Sequence, residues 1–571
     1  MSPRVKDQRP PWAEAVYWLT LAALCGALFF GALGARTLWE TDEARYAEIG
    51  REMLDAPSWQ WWVVPRLNYV KYMEKPPLPY WLIALSFKAF GVSDYSARLV
   101  PAVFGALSVL LTCLLGRWLW SMRAGFFAGL VLCTGLMFAL LSQVLLVDMV
   151  LCFGVVLSLL GLWAMLQERW WGLYAFWLGC AFGFLTKGLL GPGLAGLAAL
   201  IFLGLCGQWR KMLGLFDYRG VLLFAALCAP WLIAATVLED GFIKYFFWDE
   251  QFGRLTTTVH QRHEPFWYYF ALLPAAFFPW TMLWPAVVAR LWPGRAWRAP
   301  QNRALLFCLV WFGSYFVFLT LSQSKMLHYA LPMLPPLALL TGRALAGMAE
   351  DGWALPAGRA VRWGLDALAG LMLLCAAAVP LAPQFAPEAS YERLGLAVFA
   401  VPLALAAAAF GVHLTRGKTW AAVAVPLAVF AMMAGGYLVA SPLIDDYRSL
   451  AGLVRPIRDK LSPDDVLASY GDYYHGAVFY GRRRVMIVGN WGELDYGRQR
   501  DPQADKWFLA EGHRHEAVVK LARSPRRVFL LGETEKFQRL LDAKALDQAG
   551  VKLHQWARLG DKSLYVNRPR P

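Results

Sequence analysis

The ionisable residues of this chain gather where a membrane protein would carry few of them. Asp42-Glu43-Ala44-Arg45-Tyr46 and Glu74-Lys75-Pro76-Pro77-Leu78-Pro79-Tyr80-Trp81 share one polar, tryptophan-rich stretch, residues 36–98, between apolar runs. Asp148 interrupts the run Leu145-Leu146-Val147 and Met149-Val150-Leu151, and Lys187 closes Leu185-Thr186-Lys187-Gly188. Ser324, Lys325, His328 and Tyr329 mark another span boundary, and His260 and His263 lie in the connection 239–265. Lysines and arginines bind phosphate. An apolar wall beside them would take an isoprenoid or acyl tail. A carboxylate near the reacting carbon activates an acceptor or stabilises positive charge as a sugar phosphate departs. Together these groups suit glycosyl transfer from a polyprenyl-phosphate sugar, with Asp42 near the anomeric centre or the acceptor.

Each group also has a plainer reading. Thr41 and Asp42 precede a helical run, so Asp42 and Glu43 could cap it. Lys187 and Lys325 could snorkel from span ends, and the tryptophans could form an interfacial belt. Asp148 resists such a reading, because a lone carboxylate in hydrocarbon needs a partner or a ligand. His260 and His263, with Glu264 beside them, have the spacing to bind a divalent metal such as zinc, with Glu74 as a further oxygen ligand. The connection 252–265 is expected to reorder around a bound donor while the proline-stiffened first loop stays fixed.

These groups must be positioned by membrane helices. Hydrophobic residues make up 58% of the 571, which excludes a string of soluble domains. The formal charge of +15 fits short basic loops beside an anionic leaflet rather than nucleic-acid binding. All nine cysteines fall in apolar segments without metal-ligand spacing, so no disulfide is expected. Arg4, Lys6 and Arg9 precede an apolar run at 15–35 that is too long for a signal-peptide core. With the later runs it makes about thirteen spans, each near the ~20 residues a bilayer needs. The basic connections all face the cytoplasm if the amino terminus is inside and the short segment 78–90 lies in the interface without spanning. The acidic, lysine-bearing connections then face outward.

Residues 1–442 are thus read as the transmembrane domain and 443–571 as an α/β domain outside the cytoplasm. In the latter, strand-like runs at 466–470, 484–488 and 527–531 alternate with helical patterns at 504–522 and 535–546. No glycine fingerprint or GxxxxGK[ST] accompanies them, so no nucleotide is expected.

The ordered set Asp42-Glu43-Ala44-Arg45-Tyr46-Ala47-Glu48, Trp62-Val63-Val64-Pro65, Glu74-Lys75-Pro76-Pro77-Leu78-Pro79-Tyr80-Trp81, Leu185-Thr186-Lys187-Gly188 and Ser324-Lys325-Met326-Leu327-His328-Tyr329 resembles the membrane glycosyltransferases of the GT-C class. More narrowly it is similar to their protein O-mannosyltransferase-like branch, and within that branch to the bacterial aminoarabinose transferases. The resemblance implies a thirteen-span inner-membrane enzyme whose active site and carboxy-terminal domain face the periplasm. It implies transfer of 4-amino-4-deoxy-L-arabinose from undecaprenyl phosphate to lipid A phosphates, which gives polymyxin resistance. By motif position Asp42 and Asp148 match the family's functional aspartates, and Lys75 is implied at the donor phosphate. The catalytic candidates are therefore Asp42, Asp148 and Glu43. Candidates for substrate binding are Lys75, Arg45, Tyr46, Glu74, Lys187, Lys325 and Tyr329, and those for a metal are Glu74, His260 and His263. Membrane lipids are the expected surroundings and a monomer the expected state. Transfer to a protein hydroxyl or another envelope glycan is the rival within enzymes. A transporter is the rival outside them, although no repeat relates two halves of the chain.

Overall fold

The computed structural model describes residues 11–253, 264–292, 294, 296–297, 299–351, 357–378, 391–415, 418, 420–509, 514–542 and 545–568. Among these the molecule is a multi-pass α-helical membrane protein with a carboxy-terminal extramembrane domain built on a mixed sheet. Among the described residues, seven helices are long and apolar enough to cross a bilayer: Trp12–Phe30, Asp94–Leu119, Asp148–Leu166, Trp209–Leu238, Pro300–Leu321, Gly358–Ala378 and Ala421–Leu438. The pair Tyr268–Ala276 and Trp280–Leu291, bent by 99°, makes an eighth if it is one span. The expected thirteen are not all met by unbroken helices of that length. Thr134 and Gly135, for example, separate Met122–Cys133 from Leu136–Leu141. The segment Leu78–Phe90 is a short apolar helix of 13 residues, as its length suggests.

The stretch between the first two long helices is folded and largely buried. Helix Asp42–Leu54 buries almost every position after Asp42, against the ordinary expectation for a polar loop. It crosses Leu78–Phe90 closely because Gly50 has no side chain. A Cβ there would meet Ile83 Cγ2 at 2.4 Å. Strands β1 (Arg66–Leu67) and β2 (Val70–Lys71) form a small hairpin between them. Its two-residue turn needs positive φ at both positions, which Asn68 (53°) and Tyr69 (64°) adopt. A similar close approach joins helices Asp148–Leu166 and Gly172–Lys187. A Cβ on Gly179 would meet the Gly154 carbonyl oxygen at 2.3 Å, so small residues let the two backbones touch. That contact brings the start of one helix, Asp148, to the end of the other, Lys187.

The carboxy-terminal sheet has the order β5-β4-β3-β6-β8-β7, with β3 (Val466–Asp472), β4 (Met486–Asn490), β5 (Phe508–Leu509), β6 (Val528–Glu533), β7 (His554–Leu559) and β8 (Lys562–Val566). The first four are parallel and the last two antiparallel. The three strands read from the sequence are present. The helix read over 504–522 is instead divided, because buried Phe508 leaves Ala504–Trp507 to pair with Ile487. The β7–β8 hairpin was not anticipated. One face of the sheet joins the same buried apolar cluster as the membrane helices. Polar contacts fix the docking. Asn68 exchanges two hydrogen bonds with the Val485 backbone, at 2.9 and 2.8 Å. The Tyr480 hydroxyl donates to Asp94 at 2.7 Å and accepts from the Leu38 amide at 2.7 Å.

Candidate active site

Two cavities meet at the junction of membrane helices, first loop and sheet domain. The larger, about 810 Å³, is lined mainly by polar side chains, among them Asp42, Arg45, Tyr46, His328, Glu493, Tyr496 and Arg500. The smaller, about 380 Å³, runs between apolar residues Leu189, Leu190, Leu194, Leu197, Phe318 and Leu319. Glu74, Lys75, Lys187 and Tyr329 line both. A greasy groove therefore opens into a charged chamber through a neck that carries two ammonium groups.

The membrane-side wall is organised by Asp148. Its side chain is 2% exposed and does not itself line the chamber. Lys187 donates to it at 2.5 Å, and His328 Nε2 stands 3.6 Å from its other oxygen. Lys187 also lies 4.1 Å from the centroid of the Tyr329 ring. Burial lowers the His328 pKa and outweighs the opposing pull of Asp148, so the imidazole is held toward its neutral form. Asp148 thus acts through Lys187 and His328. A buried carboxylate paired in this way meets the requirement its sequence setting imposed.

The domain-side wall is organised by Arg45. Its guanidinium donates to Asp42 within helix Asp42–Leu54 and to Glu493 from the sheet domain. Burial would raise the Asp42 pKa, but Arg45 and then Lys75 hold it below the usual carboxylate range. Asp42 is therefore an anion facing the chamber. Lys75 donates to the Tyr46 hydroxyl and sits 4.9 Å from that ring's centroid. Burial raises the Tyr46 pKa, so the phenol stays protonated. The Tyr72 hydroxyl donates to Glu74 at 3.3 Å.

The structure thus brings Asp42, Arg45, Tyr46, Glu74, Lys75, Lys187 and Tyr329 together. Glu43, expected beside Asp42, faces the opposite way. Arg36 (2.5 Å) and Arg98 (2.8 Å) clamp it, and the Trp39 and Leu145 amides both donate to it at 3.0 Å. Burial would raise its pKa, but Arg98 and Arg36 bring it down to about 2. Arg98 also donates to the carbonyls of Leu33, Arg36 and Thr37, which follow the first span. In this position Glu43 holds the loop and does not line either cavity. Lys325 likewise lines neither, and its ammonium donates to the Ser322 carbonyl at 2.6 Å. His260 and His263, and most of the connection 252–265, lie outside the described residues. Among the described residues no group of three or more His, Cys, Asp or Glu is arranged to hold a metal ion. Glu493, Tyr496 and Arg500 were not singled out from the sequence. They sit in a polar segment with no hydrocarbon around them to make a charge conspicuous.

A family model described as dolichyl-phosphate-mannose-protein mannosyltransferase matches residues 14–246. An undecaprenyl phosphate-alpha-4-amino-4-deoxy-L-arabinose arabinosyl transferase of Pseudomonas aeruginosa is 35% identical over 336 residues, 57% of this chain. The chain spans 59% of that relative's length. The Pectobacterium atrosepticum protein of the same description is 30% identical over 516 residues, 86% of this chain and 88% of its own. The crystal structure of ArnT from Cupriavidus metallidurans bound to undecaprenyl phosphate superposes with a TM-score of 0.81 at 25% identity, covering 97% of this chain and 98% of that one. The chain belongs to the undecaprenyl phosphate-aminoarabinose transferase family, a branch of the GT-C glycosyltransferases.

Proposed function

We propose that this protein transfers 4-amino-4-deoxy-L-arabinose from undecaprenyl phosphate to a phosphate of lipid A, at the periplasmic face of the bacterial inner membrane. The observation that carries the reading is the apolar groove opening into the polar chamber at Lys75 and Lys187. A polyprenyl tail fits the groove, and its phosphate then lies at the cationic neck. In the reaction the bond between the sugar's anomeric carbon and the polyprenyl phosphate oxygen breaks. A bond forms from that carbon to an acceptor phosphate oxygen, and undecaprenyl phosphate leaves. Lys187 stabilises the negative charge that grows on the leaving phosphate, and Lys75 holds that phosphate throughout the reaction. A phosphate acceptor is already a nucleophile at neutral pH, so a general base contributes little. Asp42, held ionised and oriented by Arg45, instead steadies the donor amine or the positive charge at the anomeric carbon.

The topology that accompanies this reading has thirteen spans, with the broken and shorter helices counted. The amino terminus is inside, and residues 443–571 are periplasmic. Lower surface charge on lipid A would give polymyxin resistance. A second acceptor class, a protein hydroxyl, is favoured by the match to the mannosyltransferase model, and there Asp42 would serve as base. The test incubates purified protein with undecaprenyl-phosphate aminoarabinose and either lipid A or a serine- and threonine-containing peptide. Modified lipid A together with free undecaprenyl phosphate is the expected result. Modified peptide with unchanged lipid A would overturn the acceptor assignment.

A further inference from the structure

The sheet domain contributes a buried chain of charges that ends on Asp42. His475 opens helix His475–Gly481 and is 5% exposed. One ring nitrogen, Nε2, is 2.6 Å from Glu493, and Nδ1 is 3.3 Å from Glu40 of the first loop. The Glu40 carboxylate also accepts from the backbone amides of His475 (3.1 Å) and Gly476 (2.5 Å). That seat exists because residue 476 is glycine: a Cβ there would meet a Glu40 oxygen at 2.5 Å. Glu493 uses one oxygen for His475 and the other for Arg45, and Arg45 turns its remaining amino group to Asp42. The order Glu40, His475, Glu493, Arg45, Asp42 alternates negative and positive throughout.

Docking alone does not require this chain. The Asn68–Val485 exchange, the Tyr480–Asp94 bond and the Lys71–Glu239–Arg500 cluster already join the two parts. The His475 side chain differs from these in belonging to a chain that ends on Asp42. A carboxylate with two strong donors in opposite directions has little freedom to rotate, and a guanidinium bound to it is aimed equally firmly.

We propose that His475 is a positioning residue for the Asp42 site: seated on Glu40, it fixes the Glu493 carboxylate that aims Arg45 at Asp42. The inference rests on the transfer reaction proposed above. A protonated ring suits the role because both nitrogens then donate. Burial opposes that charge, but Glu40 and Glu493 overcome it and push the His475 pKa up to about 9. The Tyr473 ring packs edge-on at 4.5 Å and adds no opposing charge.

Two near-isosteric variants separate positioning from mere filling. In His475→Gln the amide nitrogen takes the place of Nε2 and keeps a donor for Glu493. In His475→Asn it takes the place of Nδ1, keeps Glu40 and loses Glu493. Steady-state transfer by the full-length protein is compared for wild type, both variants, Glu493→Gln and the His475→Asn/Glu493→Gln double variant. The proposal expects His475→Asn to lower kcat roughly 10- to 100-fold with the KM for donor nearly unchanged. His475→Gln should stay within a few-fold of wild type, and the double variant should be no slower than Glu493→Gln alone. Equal kcat in the Asn and Gln variants, a raised KM with kcat intact, or additive losses would each overturn it. Should wild type fail to use the aminoarabinose donor, the substrate reading falls. The same comparison, made on the polyprenyl-phosphate sugar it does use, still decides the role of His475.

Discussion

The two walls of the polar chamber solve one problem in different surroundings. On the membrane side, Asp148 is enclosed by hydrocarbon and neutralised by a single lysine with a neutral histidine beside it. On the domain side, Asp42 is the exposed end of a charge chain that passes through Arg45 and Glu493 to His475 and Glu40. A short pair suffices where the dielectric is low and each charge is strongly felt. Asp42, part-exposed at the chamber, is fixed instead through several linked groups that are themselves buried. The membrane wall therefore works by isolation and the domain wall by connection.

That contrast is tested most severely at Asp42. Asp42→Asn keeps the volume and removes the charge that reaches the substrate. Transfer should fall roughly 10³-fold, about 4 kcal/mol in transition-state stabilisation. Folding should persist, because Arg45 retains Glu493. Turnover of the lipid donor, measured beside size-exclusion behaviour in detergent, checks both halves. Near-normal turnover would move the chemistry off the domain-side wall. Asp148→Asn should also reduce transfer, by releasing Lys187 and His328 rather than by removing a group that touches substrate.

The neighbouring carboxylate gives the next largest effect, and it falls on stability rather than rate. Glu43 is clamped between Arg36 and Arg98, and its substitution leaves two buried cations facing a neutral amide. Glu43→Gln should cost roughly 3 kcal/mol. Its pH dependence follows from a carboxyl held at about 2 instead of the usual 4.5. A depressed pKa stabilises the fold fully above the unfolded value, and that contribution disappears as pH falls from 4.5 toward 2, a loss of roughly 3 kcal/mol. Thermal unfolding in detergent should therefore separate wild type from Glu43→Gln at pH 7 and bring them together at low pH. A gap that survives below pH 2 would mean the clamp contributes packing rather than charge.

The same contrast explains what could be read from the chain. Asp148 and Lys187 stand out because apolar residues surround them; the cost of a lone charge in hydrocarbon demands a partner or a ligand for Asp148, and the structure supplies Lys187 as that partner. The first loop stood out through its density of carboxylates and tryptophans, and three strands of the sheet through short apolar runs. Glu493 and His475 carried no such mark, because one more charge in a polar, mixed segment is unremarked until the fold brings it to Arg45. Glu43 parts from Asp42 in the structure for a related reason. Adjacent carboxylates look equivalent in sequence, but on a helix they point about 100° apart. One reaches the chamber and the other reaches Arg98, which lies on a different helix entirely.

The smallest expected effect concerns the neck where the walls meet. Lys75 lines both the apolar groove and the polar chamber, beside Lys187 and across the Tyr46 ring. A phosphate at this neck is contacted before, during and after transfer, so the interaction is nearly uniform along the reaction. Uniform binding lowers KM without raising kcat. Lys75→Ala should therefore weaken apparent affinity for the lipid donor roughly tenfold while leaving kcat within a few-fold. The loss stays partial because Lys187 remains on the same neck, tied to Asp148 at 2.5 Å. Donor titration of the purified variant, with undecaprenyl phosphate as competing ligand, reads the change directly. If both affinity for the donor and inhibition by undecaprenyl phosphate match wild type, Lys75 is a lysine reaching from a loop to the membrane surface. The leaving phosphate must then be held from the membrane-side wall alone.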